Sequence, residues 1–541
     1  MVKRYEIPPI PPGEATPLVK ALVEVIERLL EDNQALVETH QQMRDEIALL
    51  KGEKAKPKLK PSNMDKEAGK KDDPLAADED QKKRPGSAKR NKTEHLTIHE
   101  ERVIPPSEPL PPGARFKGYR DVVVQELKIT SHNTRYRLEY WQTEEGQSFV
   151  GRLPENLQGQ HYGPDLRSYI LYQHHHCHVT QPLLREQLTE WGIDISAGQI
   201  DALLTAGKED FFAEKDALLV TGLEVCRAIT VDDSGARHRG KNGYVTHLGH
   251  DLFGWFSSTD SKSRINFLEL LHAGSIAYRI TGDSLNYLRV QGLAKAVCQR
   301  LQNHTPGELI TKADWQQHLD ALDIHSARHR RLATEGALMG SLLEKGFNPN
   351  LAIISDGAGQ FAIFLHGLCW IHAERLVHKL IPMNALQRED IERVRGQIWD
   401  FYADLKAYRQ QPDTARIPEL TSRFTAIFTQ QTTYATLNQT LQRIHSHRDE
   451  MLLVLQRPDV PLHTNGSETD IRDYVKKRKV SGGTRSDLGR KCRDTFASLK
   501  ITCRKLGLSF WEYLTDRESK TNHLPPLADI LRQQACSGAS P

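Results

Sequence analysis

The sequence predicts a multidomain α/β chain: an N-terminal coiled coil, a small β and helix-turn-helix region, and a mixed-sheet core with an all-helical insertion. Three observations carry this. The chain has 541 residues, more than one hydrophobic core usually organises. Residues 18 to 50 carry a heptad repeat. Two β-branched runs far apart in the chain, CRAITVDD and NLAIISD, each end in aspartate followed by a glycine-containing turn.

In the heptad segment Leu22, Leu29, Leu36, Met43 and Leu50 stand seven apart, with Val19, Ile26, Asn33, His40 and Ile47 on the alternate seam. Leucine at one seam position and a single seam asparagine favour a parallel two-stranded coil, because buried Asn33 pairs best with its own copy. A lone amphipathic helix docked on its own chain stays open as the alternative. From Lys51 to Lys92 the composition turns to Lys, Pro, Asp, Gly and Ser with fourteen basic residues, the signature of a disordered linker. Within it Lys82, Lys83 and Arg84 head a basic stretch suited to a phosphate backbone or a minor groove, or to a solvated tether.

Near Phe116 order is expected to return as short strands in YRDVVVQELKI, RYRLEYW and SFVGRL, with a turn at Glu145-Gly146. Next come a helix from about Pro182, a turn at Trp191-Gly192 and a second helix capped by Ser196 with Gln199 at its third position. This is helix-turn-helix spacing, which would put Gln199 and Asp201 near a major groove; ordinary helical hairpins share it. The run HHHCH, His174 to His178, points its side chains in different directions, so at most two of them can meet at one ion, and a structural or DNA-facing cluster is preferred over zinc.

The chemistry lies in three separated carboxylates. Asp232 and Asp233 end one strand, after which YVTHLGHDLFGWFSS is expected to form two more strands turning at Gly249 or His250. Asp356 ends a second strand, before a glycine-rich turn and an expected helix. Glu468 lies in the first turn of a helix whose Arg472, Lys476 and Lys479 recur on one side, with Lys477 and Arg478 between them. Singly each acid reads as a cap or turn residue. One acid from each of three elements, beside a basic helix, suits hard divalent cations such as Mg²⁺, and a pair of such ions suits displacement at phosphorus. From Arg472 to Lys505 there are twelve basic residues against three acids, a surface that tracks a nucleic-acid backbone.

VDDSGARHRGKNG, SDGAGQF with LCWIHAER, and the long block from PLHTNGSETDIRDYVKKRKVSGGTR to LSFWEYL resemble the signature blocks of the insertion sequence 66 family of bacterial transposases, from about Val103 to Leu514. The resemblance implies a DDE transposase with a ribonuclease H-like core, in which Asp232, Asp356 and Glu468 hold two Mg²⁺ ions, with Mn²⁺ able to substitute. It places Asp233 behind the first aspartate, and His372 and Arg375 near the site. For His372 a phosphate or water contact and a satisfied core histidine stay open. Two features depart from the family: no cysteine precedes Cys177, so its zinc-binding segment is not carried over, and the run before Glu468 is Leu462, His463, Thr464, Asn465.

Between His372 and Pro461 nearly every segment is helix-forming, which predicts an all-helical insertion, with Trp399, Phe401 and Tyr402 in its core. Residues 264 to 350 also read as helical. The expected division is 1–17 tail, 18–52 leucine zipper, 53–106 linker, 107–215 DNA-binding region, 216–372 first part of the catalytic core, 373–460 helical insertion, 461–515 last part of the core and 516–541 tail.

No stretch approaches eighteen uncharged apolar residues, which excludes a spanning helix, and no apolar segment follows the first basic residues, so a bacterial cytoplasmic protein is expected. Seven scattered cysteines predict reduced thiols. Expected partners are double-stranded DNA, a second copy through the coiled coil, and helper proteins of the same element. Two other functions stay open: a dimeric DNA-binding regulator with an idle catalytic fold, and a nuclease that cuts without joining.

Overall fold

The computed structural model describes residues 19, 96–111, 113–274, 276–304 and 311–537. The coiled coil, apart from Val19, and the basic arm with Lys82, Lys83 and Arg84 lie outside the described residues.

A hairpin of β1 (Tyr140–Gln142) and β2 (Ser148–Val150) precedes α1 (Pro164–His175), α2 (Gln181–Glu190), α3 (Ala197–Thr205) and α4 (Glu209–Val225). The sheet starts with β3 (Ala228–Gly235), β4 (Tyr244–Gly249) and β5 (Gly254–Thr259). Helices α5 (Arg264–Leu271), α6 (Gly282–Val290), α7 (Lys295–Asn303), α8 (Lys312–Ala321) and α9 (Ala327–Glu344) separate it from β6 (Ala352–Ser355) and β7 (Leu365–Leu368). Then follow α10 (Trp370–His378), α11 (Ala385–Gln410), α12 (Ile417–Thr429), α13 (Ala435–Ser446) and the short α14 (Arg448–Met451) and α15 (Leu453–Gln456). The described chain closes with α16 (Asn465–Ser481), α17 (Asp487–Lys505), α18 (Phe510–Glu518) and α19 (Leu527–Ser537).

The mixed sheet has the order β5-β4-β3-β6-β7, with β3, β4 and β5 antiparallel and β6 and β7 parallel to β3. Strand alternation splits its residues between two layers. Ile229, Val231, Leu248 and Ile353 enter a large core shared with α1 to α9 and α17 to α19. On the other face Ala228, Ala352 and Ile354 pack with Trp370 of α10 and with Phe401 and Phe424 of the helical insertion. Beside them Val245 and Phe256 pack on Ile471 and Tyr474 of α16.

The capping box expected at Ser196 forms, each of Ser196 and Gln199 accepting the other's backbone N–H at 3.2 and 2.8 Å. Four expectations are corrected. YRDVVVQELKI makes no strand: Val122, Val124 and Leu127 are exposed, and no neighbouring strand pairs with the run. The turn after Asp356 leads into β7 rather than a helix, because Phe361 and Ile363 bury in the large core and pull the chain back alongside β6. Residues 516–541 are not simply a tail, since α19 buries Leu527, Ala528 and Leu531. Nor are residues 107–215 a separate unit. Ile170 and Leu184 share one core with Tyr513 and Leu531, and Arg167, buried, donates to Glu518 Oε2 at 2.7 Å; a division at 215 would cut α4.

Trp399 and Tyr402 stack edge-on outside the fully buried core of the insertion, whereas Phe401 is fully buried. All seven cysteines are unpaired. Among the described residues no helix is long and apolar enough to cross a membrane.

Candidate active site

The parallel register fixes two acids at one level. Thr230 pairs with Ile354, and Asp232 and Asp356 each lie two residues further on. Asp356 directly follows β6, whereas Asp232 lies inside β3, which runs on to Gly235 in its pairing with β4 instead of ending at Asp232-Asp233 as expected. Asp232 faces His247 across the antiparallel pair, so the two share a sheet face with Thr230. On this face α16 brings up Glu468.

What seats α16 is a set of side-chain ties. The hydroxyls of Thr230 and fully buried Ser467, the residue before Glu468, stand 2.6 Å apart. Thr464 N–H donates to Cys369 Sγ at 3.4 Å and Trp370 N–H to Leu462 O at 3.0 Å, which joins the start of α16 to the CWIH segment. Two residues past Glu468, buried Asp470 receives Lys505 at 2.7 Å and Arg504 at 3.1 Å, with His247 Nε2 at 3.3 Å. Gly249 keeps that imidazole in place, since a Cβ there would stand 2.4 Å from the ring. These ties were missed from sequence: Thr230 and Ser467 sit two and one residues before predicted acids, but nothing local distinguishes them.

Asp232 is half-buried and accepts the N–H of Asp233 at 2.7 Å. Burial pushes its carboxyl up to about 7; the Asp233 N–H opposes this, and the charges of Asp356, Asp233 and Glu468 add to the rise. The three predicted acids thus act on one another. Asp356 is exposed and accepts the N–H of Ala358 at 3.0 Å. Asp233 is turned to Gln360, whose Nε2 donates at 2.7 Å, and to Lys262.

Glu468 is engaged by cations. Arg375 donates to its two oxygens at 3.0 and 3.4 Å, and Arg472 to Oε2 at 3.1 Å. His372 Nε2 lies 3.6 Å from Oε1 and 3.2 Å from Arg375 Nη1. Burial lowers the pKa of His372 and Arg375 assists, against Glu468 and Asp356, so the ring is neutral near pH 7.

Three carboxylates are the donor chemistry that a hard divalent cation takes. Among the described residues, however, no three His, Cys, Asp or Glu side chains lie close enough to share an ion. The acids are gathered but not closed into one coordination sphere, and Glu468 spends its oxygens on Arg375 and Arg472.

Of the basic stripe, Arg472, Lys476 and Lys479 are exposed and Arg478 is half-buried. Lys477 differs: it is buried, its Nζ donating to His174 O at 2.5 Å, so its ammonium is not offered at the surface. Gln199 is exposed with Oε1 committed to the cap of α3. His175 stacks on Phe496 at 4.3 Å and His178 lies 3.8 Å from Asp473, so much of the HHHCH run packs α1 onto α16 and α17. A basic surface missed from sequence is formed where SGGTR docks on the loop after β3. There Thr484 N–H donates to Arg237 O at 3.0 Å and Arg239 N–H to Thr484 O at 2.8 Å, which gathers exposed Arg237, Arg239, Lys241 and Arg485.

Residues 326–491, which carry Asp356, Glu468 and the segment from Cys369 to Arg375, match the model of the Transposase IS66 family. The chain is also 39% identical over 321 residues, 59% of its own length and 100% of the relative's, to the "Uncharacterized protein y4jO" of Sinorhizobium fredii (strain NBRC 101917 / NGR234). The chain belongs to the IS66 family of transposases. In this transposase the family match covers the second strand acid and the helix acid. Asp232, upstream of it, is joined to them by the pairing of β3 with β6 and by the Thr230–Ser467 tie to α16.

Proposed function

We propose that this transposase is a DNA strand transferase acting at the ends of an insertion sequence, with Asp232, Asp356 and Glu468 as its catalytic carboxylates. Asp232 inside β3 and Asp356 just past the end of the adjacent parallel β6, with Glu468 on the helix tied to β3 through Thr230 and Ser467, carry the proposal. The sheet order, three antiparallel strands flanked by two parallel ones, supports a ribonuclease H-like core. The three acids would hold two Mg²⁺ ions, or Mn²⁺ in their place, which when bound supply activation of the attacking oxygen and neutralisation of charge on the leaving one.

In the first displacement a water oxygen bonds to phosphorus and the 3′ oxygen leaves as a free hydroxyl. In the second, that hydroxyl attacks a target phosphodiester and displaces a target 3′ oxygen. Arg375 and Arg472 lie against Glu468, where incoming phosphate would compete for their guanidinium groups and free the carboxylate. Neutral His372 would contact phosphate or water, and Asp233, held by Gln360 and Lys262, keeps the strand end in place. Backbone tracking would fall to Arg472, Lys476, Arg478 and Lys479, to the Arg237–Arg485 surface and to the arm with Lys82, Lys83 and Arg84. Gln199 would reach a base edge from α3. A dimer through the heptad segment would bring two ends together, and helper proteins of the element complete the partner set.

The test is Mg²⁺-dependent cleavage and joining of labelled DNA carrying the element's own ends, comparing wild type with Glu468→Gln, which keeps the size of the side chain and removes its charge. The expected result is cutting and joining by wild type, and a variant that binds the same DNA and does neither. Wild type that only binds would replace this proposal with a DNA-binding regulator.

A further inference from the structure

The flank of α16 opens into a cleft of about 400 Å³ lined by His176, Asp473, Lys500, Arg504, Leu508 and Phe510. Its lining is unlike that of a structural void: Leu508 and Phe510 are its apolar part, His176 and Arg504 are exposed, and Lys500 is buried. The rings of Tyr172, His176 and Phe510 make a triangle, with centroids 4.6, 6.0 and 6.3 Å apart, so His176 is stacked on Tyr172 without being sandwiched. Trp511, 38% exposed, stands edge-on to Tyr172 at 5.5 Å and extends the aromatic surface.

The cations are anchored but not exhausted. Lys500 pairs with Asp473 Oδ2 at 2.5 Å, and Arg504 reaches Asp470 Oδ1 at 3.1 Å while 56% of its side chain stays exposed. Lys476 adds a third positive charge 3.9 Å from Asp473. Asp473 lies at the cleft wall with Oδ2 on Lys500 and with His178 and Lys476 at 3.8 and 3.9 Å from Oδ1, which leaves Oδ1 the looser acceptor for an exocyclic amine of a base. Its place on α16, five residues beyond Glu468, sets the cleft about 7 Å further along the helix axis.

An aromatic platform, a cationic rim and an acceptor together match one nucleotide freed from its duplex, since every base has a face to stack and a phosphate to pair. We infer that this cleft holds an unpaired nucleotide of the DNA end, its base on His176 and its phosphate on Arg504. This rests on the chain acting on DNA ends, as proposed above. Duplex DNA alone does not explain the cleft, because a paired base cannot offer its face.

The full chain is titrated with an end duplex whose first unpaired flanking base is 2-aminopurine, and with the same duplex blunt; anisotropy gives affinity and 2-aminopurine fluorescence gives stacking. Wild type is expected to quench the probe and to prefer the flanked duplex by roughly tenfold. His176→Ala is expected to lose that preference and still bind the blunt duplex as wild type does, and Arg504→Ala to lose the preference as well. His176→Phe, which keeps a ring, is expected to retain it and guards against misfolding. Equal wild-type affinity for both duplexes, or a preference that survives in His176→Ala, overturns the inference and leaves the transposase reading standing. Free deoxyadenosine monophosphate that binds the cleft as tightly as the flank assigns it to a soluble nucleotide and also overturns it. No binding of either duplex by wild type removes the reading on which the inference rests.

Discussion

The two strand-borne acids and the helix-borne acid are positioned by different physics. Asp232 and Asp356 are brought level by the pairing of Thr230 with Ile354 two residues before each, and a one-residue slip of β6 would turn Asp356 to the other face. Glu468 has no register. Its place depends on the Thr230–Ser467 contact, the Asp470 cluster and the Arg375 pair, between side chains far apart in sequence, and on Arg472 one helical turn away. The difference separates changes that remove chemistry from changes that misplace it.

The sharpest contrast is Asp356→Asn against Asp470→Ala. Asp356 is exposed, with one short-range backbone contact, so its loss is expected to leave melting unchanged. Cleavage of end DNA should nonetheless fall by roughly a thousandfold, the scale of losing one key electrostatic group. Asp470 is 2% exposed and pairs with Lys505, 16% exposed, as well as with the exposed Arg504, so its removal leaves Lys505 without its carboxylate inside the α16 packing. About 3 kcal/mol of stability is expected to be lost in urea unfolding, because breaking a buried charge cluster from one side is costly. If Asp356→Asn melts early, or Asp470→Ala is as stable as wild type, the distinction between the two kinds of acid fails.

Legibility in the sequence follows the same line. β-branched runs ending in Asp232 and Asp356 are local signals, and so is a helix opening with Glu468 and continuing as Arg472, Lys476 and Lys479; each is borne by consecutive residues. His247 and Asp470 were invisible, since VTHLG reads as an ordinary strand and TDIRD as an ordinary helix surface until tertiary packing buries the pair. Composition also misled where a partner was missing. The valines of YRDVVVQELKI have the side chains of a strand, yet a strand forms only where another pairs with it, and none does here. Lys477 shows the converse: its sequence neighbours made it part of a surface stripe, whereas helix geometry turns it inward onto His174.

That inward turn gives a smaller, pH-dependent test. Burial, with Arg493 and Lys500 adding to it, lowers the pKa of Lys477 from its ordinary 10.5 to about 7. Between those values the unfolded chain binds a proton that the folded chain does not, so this residue makes stability rise with pH across the window and level off below about 7. Lys477→Met keeps the apolar stem and removes the titration. Relative to wild type, its stability curve between pH 7 and 10 is expected to be flatter by no more than about 1.4 kcal/mol per pH unit. Parallel curves would mean that the ammonium stays charged inside the fold.

The finest test concerns one hydroxyl. Thr230 lies on the same strand and the same face as Asp232, and its Oγ1 meets Ser467 Oγ, the residue before Glu468, at 2.6 Å. Thr230→Val keeps the shape and deletes the bond, leaving the Ser467 hydroxyl buried without that partner. A loss of about 1 kcal/mol is expected in unfolding, the usual cost of such an orphan. Activity is expected to fall about tenfold, because the tie between the strand and helix acids is gone. Adding Ser467→Ala removes the orphan, so stability should return while activity stays low. If both recover together, the hydroxyl pair only fills space, and the position of Glu468 is set by Asp470 and the arginines alone.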